Sequence, residues 1–265
     1  ANKLLSLSED ERRRGVVTVS TGNHGRAMAH VGALLATRVV VCVPALVLPH
    51  KVEAMRALGA DVRVEGKDQD EAEEAARRLV QREGLTPVSP FDDLEVIAGQ
   101  GTIGLELLED LPQIDTAIVP LSGGGLMGGI ALTLKSADPE IRTVGVSMAR
   151  GPAMVESLRA GHPVPVPEEP TLADSLMGGI GLDNRYTFEL IRRFVDDCVL
   201  LSEAEIAAAM RYAFVEERLI VEGGGAVGIG ALLHDKVADL GENVAVVVSG
   251  GNVDLKKLME MVVGG

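Results

Sequence analysis

Six short runs, 16–19, 39–43, 61–64, 116–119, 143–146 and 244–248, are built mainly from β-branched and other apolar residues with little polar alternation. A strand that is apolar on both faces is buried on both. Such runs separated by helix-length segments predict a parallel sheet covered by helices on either side, the doubly wound α/β arrangement. Capping boxes are expected at Asp68 with Glu71 and at Ser202 with Glu205, and Ile206, Met210 and Phe214 form a stripe that reads as core.

The chain has 265 residues, enough to bury a real core, and 46% of them are hydrophobic while only 2% are aromatic. Val, Leu, Ala, Ile and Met must therefore build the interior, which disfavours an aromatic nucleic-acid platform. Thirty-nine acidic against 25 basic residues give a net charge of −14, which repels polyanions, so neither nucleic acid nor an anionic membrane is expected as partner. A small soluble ligand fits better.

The most apolar stretch, 31–49, contains Arg38 and is interrupted by Pro44, so it predicts a helix followed by a buried strand rather than a membrane span. Cys42 and Cys198 lie far apart without metal-ligand spacing and are expected as reduced, buried thiols of a cytoplasmic protein. Pro163, Pro165, Pro167 and Pro170 predict an extended surface connection. Residues 1–5 show no initiator Met, no secretory pattern and no helix cap, and the chain is expected to begin inside a longer protein.

Three of the expected strands run into Ser/Gly-rich loops, each followed by a helix: 20–24 (Ser-Thr-Gly-Asn-His), 122–126 (Ser-Gly-Gly-Gly-Leu) and 249–252 (Ser-Gly-Gly-Asn). Beyond the carboxyl ends of parallel strands, glycine admits a ligand close to the backbone and helix N-termini present unpaired N–H groups, so such loops suit phosphates and carboxylates. Any one of them could serve only as a tight strand-to-helix turn; three together argue for a site. Gly123, Gly125 and Gly128 also satisfy a dinucleotide fingerprint, but no acidic residue follows the next strand at 146–148 to hold a ribose, and no Gly-Lys-Ser/Thr is present. A nest of amides for one terminal phosphate remains.

With 99–103 (Gly-Gln-Gly-Thr-Ile), Glu222 ahead of Gly223-Gly224-Gly225-Ala226, and 249–253 (Ser-Gly-Gly-Asn-Val), these motifs resemble, in collinear order from Ala1 to about Leu258, the pyridoxal 5'-phosphate (PLP) enzymes of the threonine dehydratase and serine racemase type. Residues 171–176 and 179–186 look most like the dehydratase of ectoine and hydroxyectoine utilisation. The resemblance implies PLP fold type II, with two doubly wound parallel-sheet domains. A smaller one at 15–92 would carry the substrate-carboxylate loop, and a larger PLP-binding one would comprise 1–14 and 93–265. It places the PLP phosphate on Ser122, Gly123, Gly124, Gly125 and Leu126, the ring 3-hydroxyl against Asn23, and the pyridine nitrogen against Ser249. The substrate carboxylate falls to Ser20, Thr21, Gly22 and His24. His24 has the plainer alternative of a local hydrogen bond in a first helical turn, and Glu222 that of a helix cap rather than a polar group near the ring.

The family's Schiff-base lysine lies in a Ser-Phe-Lys-x-Arg-Gly motif expected upstream of Ala1, so no catalytic residue is assigned within the chain. None of Lys3, Lys51, Lys67, Lys135, Lys236, Lys256 and Lys257 falls in the three loops. Cation-binding relatives carry Glu and Asp where this chain has Ser147 and Ala153, so no metal is expected. Ser122 and Ser175 replace glycines common in the family. The implied activity is a lyase that converts a small β-hydroxy amino acid such as threonine or serine to a 2-oxo acid and ammonia, in a cytoplasmic homodimer. The alternatives are racemisation on the same residues and a non-catalytic ligand-binding domain, should the lysine be absent altogether.

Overall fold

The computed structural model describes residues 1–45, 47, 49–67 and 69–263. The expected cap residue Asp68 lies outside them. The chain divides into two compact units, Ala1–Gly99 and Gln100–Gly265, and the boundary falls inside one helix.

In the first unit, two short helices, α1 (Asn2–Ser6) and α2 (Glu9–Arg14), lead into β1 (Val16–Val19). Then α3 (Asn23–Leu34), β2 (Val39–Val43), α4 (Pro49–Ala57), β3 (Asp61–Val64), α5 (Gln69–Glu83) and the two-residue β4 (Thr86–Pro87) follow in turn. The sheet is all parallel in the order β3-β2-β1-β4, with Val16 opposite Val39 and Val40 opposite Asp61. Alternate residues of one strand serve opposite faces. Val16, Val39, Val41 and Val43 meet Met28, Ala29, Val52 and Met55 of α3 and α4, while Val17, Val19, Val40 and Cys42 meet Ala72, Ala76 and Leu79 of α5. The stretch 31–49 is a helix end and a buried strand, as its Arg and Pro predict, and among the described residues no helix is long and apolar enough to cross a membrane.

α6 (Leu94–Asp110) carries the boundary and leads to β5 (Thr116–Pro120), α7 (Gly125–Ala137), β6 (Arg142–Met148) and α8 (Ala153–Ala160). An irregular proline-rich connection and a 3-10 turn (Asp174–Leu176) precede α9 (Thr187–Phe194), β7 (Asp197–Leu201), α10 (Glu203–Val215), α11 (Gly223–Leu233), β8 (Val244–Val246) and α12 (Leu255–Val263). This second sheet is also all parallel, in the order β7-β6-β5-β8. Its two faces divide in the same way. Ile118, Val144 and Val146 pack on α10 and α11, and Ala117, Val119 and Leu121 pack on α7, α8 and α9. The α10 stripe is core as expected, with Ile206 and Met210 buried and Phe214 partly so. The capping box of Ser202 and Glu205 is formed in full.

Two parallel sheets with helices on both faces are the expected fold class. The sequence reading missed β4 and β7, and placed strand ends one to two residues short at β5 and β6 and two residues long at β8. The contact boundary also differs from the expected domains: residues 1–14 fall in the first unit, because Leu4 and Leu7 are buried among Val16, Met28, Val88 and Val96. Both cysteines are free, but Cys198 is half-buried rather than fully enclosed; burial pushes both thiols up to about 11.

Candidate functional site

In the first unit the loop 20–24 joins β1 to α3. No side chain caps α3 at Gly22, but Ser20, two residues earlier, supplies the missing acceptor. Its Oγ takes the Gly22 N–H at 3.3 Å and the Gly25 N–H at 3.2 Å. The oxygen of the Ser20 hydroxyl thus shapes its own loop, while its proton stays free for the substrate carboxylate expected there. Gly25 lets α3 settle on this loop, since a Cβ there would stand 2.7 Å from the Ser20 carbonyl oxygen and 2.8 Å from Met55 Sδ. Gly22 is the opposite case, because a Cβ would meet nothing within 4 Å, so space for a ligand lies over its backbone.

His24 sits in the first turn of α3 with Nε2 shut off from solvent and without a hydrogen-bond partner, which removes the local bond as an account of that nitrogen. Burial pulls its imidazole down to about 4, against a small opposing effect from Asp93. The ring is therefore neutral at pH 7. Because the folded value lies below the ordinary 6.5, the stability it confers is complete above about pH 6.5 and is lost as pH falls toward 4. The loss expected is roughly 1–3 kcal/mol. Urea midpoints measured at pH 7.5 and pH 4.5 should converge in His24→Gln relative to the parent; an unchanged acid sensitivity would rule His24 out as its source.

In the second unit three expected site segments meet at one edge of the sheet. β5 and β8 are parallel neighbours, so the loops after them, 121–124 and 247–254, emerge at the same carboxyl edge. The head of α11 is tied to the second of these by the Glu222 N–H, which donates to the Gly250 carbonyl at 3.1 Å, and by Gly225, where a Cβ would stand 2.6 Å from that oxygen. Glu222 is buried at the N-cap position of α11 yet makes no side-chain cap, so the helix-cap reading of its carboxylate does not hold. Ser249 is exposed and lies three residues past the end of β8.

The head of α7 is the feature best suited to an anion. Its N-cap, Gly124, is left-handed with φ +88°, no side chain caps the helix, and the first bond from outside it is Gly128 N–H to the Gly124 carbonyl at 2.7 Å. A Cβ on Gly124 would crowd Met154, Thr187 and Ile191 at 2.9–3.1 Å. Glycine is thus required there for both conformation and space, and the turn it permits aims successive amides and the positive end of the helix dipole at one point. The donors fit a phosphate such as that of PLP.

The segment that supports this head was legible in the sequence as a family-like motif, but its role was not. Residues 171–176 form a strap whose start is held by Glu203: the Thr171 hydroxyl donates to Glu203 Oε1 at 2.6 Å and the Leu172 N–H to Oε2 at 2.7 Å. Its end accepts the Ser122 hydroxyl at the Leu176 carbonyl, 2.8 Å away. The run of three glycines opening α11 is the signal that could have shown that role. Glycine costs about 1 kcal/mol per residue in a helix, and a Cβ at Gly223 or Gly224 would collide with the strap at 2.1 and 2.2 Å. Ser147 and Ala153 are both buried, and among the described residues no group of three His, Cys, Asp or Glu side chains is placed to hold a metal.

A doubly wound α/β chain with an anion cradle at the carboxyl edge of its second sheet defines a ligand-binding protein of the phosphorylated-cofactor class. The chain belongs to the family described as pyridoxal-phosphate dependent enzyme, whose model matches residues 1–250. It is 49% identical over 263 residues to a threonine dehydratase, so named, of Sinorhizobium fredii, covering 99% of this chain and 79% of that one. It is 42% identical over 257 residues to the L-threonine ammonia-lyase of Thermotoga maritima, covering 97% of this chain but spanning only 63% of the relative's length. Among solved structures, maize serine racemase superposes with a TM-score of 0.91 at 32% identity, covering 99% of this chain and 80% of that one. The processed form of threonine deaminase isoform 2 from Solanum lycopersicum gives 0.88 at 35%, covering 100% and 74%. The cofactor is PLP, and the fold is that of these neighbours.

Proposed function

We propose that the protein is a PLP-dependent ammonia-lyase that converts a small β-hydroxy amino acid, threonine or serine, to the 2-oxo acid and ammonia. The observation that carries this is the uncapped, left-handed glycine head of α7 in a chain whose relatives at 40–49% identity are named threonine dehydratase or L-threonine ammonia-lyase. In the reaction the substrate loses its α-proton and its β-hydroxyl as water, and hydrolysis of the resulting enamine releases ammonia. Bound PLP supplies the electron sink for the charge left at the α-carbon.

The residues of the chain bind and orient. The amides of Ser122, Gly123, Gly124, Gly125 and Leu126 hold the phosphate, Asn23 the ring 3-hydroxyl, and Ser249 the pyridine nitrogen, with Glu222 as a buried polar group near the ring. Ser20, Thr21, Gly22 and His24 receive the substrate carboxylate, and the Ser20 oxygen also maintains their loop through the two amides it accepts. A neutral His24 suits this role, because it can donate one N–H without bringing a charge that must be desolvated. The first unit thus serves as the substrate-carboxylate domain and the second as the PLP-binding domain. We further place the enzyme in the cytoplasm as a homodimer, in keeping with its two free thiols, and in ectoine and hydroxyectoine utilisation, on the motifs at 171–176 and 179–186.

The test is product analysis with the protein as its gene encodes it. Supplied with PLP and L-threonine or L-serine, it should release 2-oxo acid and ammonia in equal amounts. Chiral chromatography of the remaining substrate measures racemisation, the reading favoured by the maize serine racemase likeness. D-amino acid without 2-oxo acid would replace the lyase assignment by a racemase, and no turnover of either kind, with PLP bound, would leave a binding domain.

A further inference from the structure

We propose that Ser122 is a positioning residue: its hydroxyl fastens the phosphate loop to the 171–176 strap, and through the strap to Glu203, rather than binding the phosphate itself. The inference rests on the PLP reading above and concerns how the chain holds its phosphate loop in shape.

The argument starts from the hydroxyl's single proton. Ser122 donates it to the Leu176 carbonyl at 2.8 Å, across 54 residues of sequence. A hydroxyl so committed can turn only lone pairs toward any other neighbour, and lone pairs repel phosphate oxygens. Its backbone amide remains available to the cradle. The hydroxyl therefore acts on the strap, as the donor to the Leu176 carbonyl.

The strap is rigid enough to be worth fastening to. Glu203, the first residue of α10, accepts both the Thr171 hydroxyl and the Leu172 N–H, and the Thr171 Oγ1 in turn accepts the Ala173 N–H at 3.1 Å. The Leu176 N–H closes the turn onto the Ala173 carbonyl at 2.8 Å, and Ala173 and Leu176 are both buried. On its inner side the strap lies so close to Gly223 and Gly224 that no side chain fits between. Just before the strap, Arg150 donates to the Pro170 carbonyl at 2.7 Å. Glu203 is thus linked to the phosphate loop by one continuous run of bonds. A change at Glu203, which lies on a different helix from the cradle, should be felt there only if Ser122 passes it on.

The experiment measures PLP affinity by equilibrium dialysis of the encoded protein in the parent, Ser122→Ala, Ser122→Thr, Glu203→Gln, and the Ser122→Ala/Glu203→Gln double variant. Ser122→Ala should weaken PLP about tenfold and Glu203→Gln about threefold. The double variant should be no weaker than Ser122→Ala, because the route is already cut. Ser122→Thr, which keeps the donor, should restore parental affinity. Thr171→Val, which removes one of the two bonds to Glu203, stands in if Glu203→Gln does not fold. Multiplying effects in the double variant, no effect of either strap change, or a Ser122→Thr as weak as Ser122→Ala would overturn the proposal. A parent that binds no PLP at all would instead overturn the functional reading on which it rests.

Discussion

Gly223→Ala is expected to destabilise the protein by about 3 kcal/mol or more and to lower its melting temperature by about 10 °C. Helix propensity alone predicts the opposite sign, since alanine is better than glycine inside a helix by about 1 kcal/mol. Packing decides against propensity because the new Cβ would stand 2.1 Å from the Leu172 carbonyl oxygen, 2.5 Å from its carbon and 2.9 Å from the Ala173 nitrogen. All three are backbone atoms, so no rotamer change relieves the contact. The strap would have to withdraw, stretching the bonds that Thr171 and Leu172 make to Glu203 and the one that Leu176 accepts from Ser122. Gly161→Ala is the matched control. That residue is left-handed at φ +79°, but its Cβ would meet nothing within 4 Å, so only the conformational cost of about 1–2 kcal/mol applies. Differential scanning calorimetry of the two variants separates the cases, and a Gly223→Ala that melts with Gly161→Ala or above it would contradict the close approach.

What the sequence disclosed and what it hid follow from the range of the interactions involved. The strands with runs of β-branched residues, such as 39–43, declared themselves because burial on both faces leaves a local signature. β7 did not, as it is an edge strand that starts at Asp197 and keeps most of its residues half-exposed, and β4 is two residues long with a proline in the second. The three Ser/Gly loops were legible for the same local reason: each closes an apolar run in the sequence, although β8 itself ends three residues before Ser249. The roles within them were not. That Ser20 turns its hydroxyl onto Gly22 and Gly25, and that Ser122 turns its own onto a carbonyl 54 residues away, depends on rotamers and on chain crossings with no periodicity to read. Glu203 carries no signal beyond its place beside a capping box. The place of residues 1–14 in the first unit was not legible because two short helices, the second wholly charged, do not announce which core receives Leu4 and Leu7.

Gly124→Ala is expected to weaken PLP at least about 100-fold, or about 2.7 kcal/mol, with a smaller effect on folding. Two costs fall on the same residue. Alanine in the left-handed region costs about 1–2 kcal/mol, and its Cβ would press on Thr187 Cβ at 3.0 Å and Ile191 Cγ1 at 3.1 Å, as well as on the flexible end of Met154 at 2.9 Å. Relief is available only by rotating Gly124 out of φ +88°, and that rotation turns the peptide planes on either side of it. Those planes carry the amides that open α7, so the chain can recover its stability by giving up the cradle. The loss should therefore follow the phosphate and not the ring. In the parent, PLP should bind far more tightly than pyridoxal, which lacks the phosphate. In Gly124→Ala the two should bind nearly alike, with pyridoxal affinity close to the parental value. Dialysis against both compounds makes the comparison within one protein, so partial unfolding weakens both equally and cannot imitate the result. If Gly124→Ala still prefers PLP over pyridoxal as strongly as the parent does, the phosphate is held somewhere other than the head of α7.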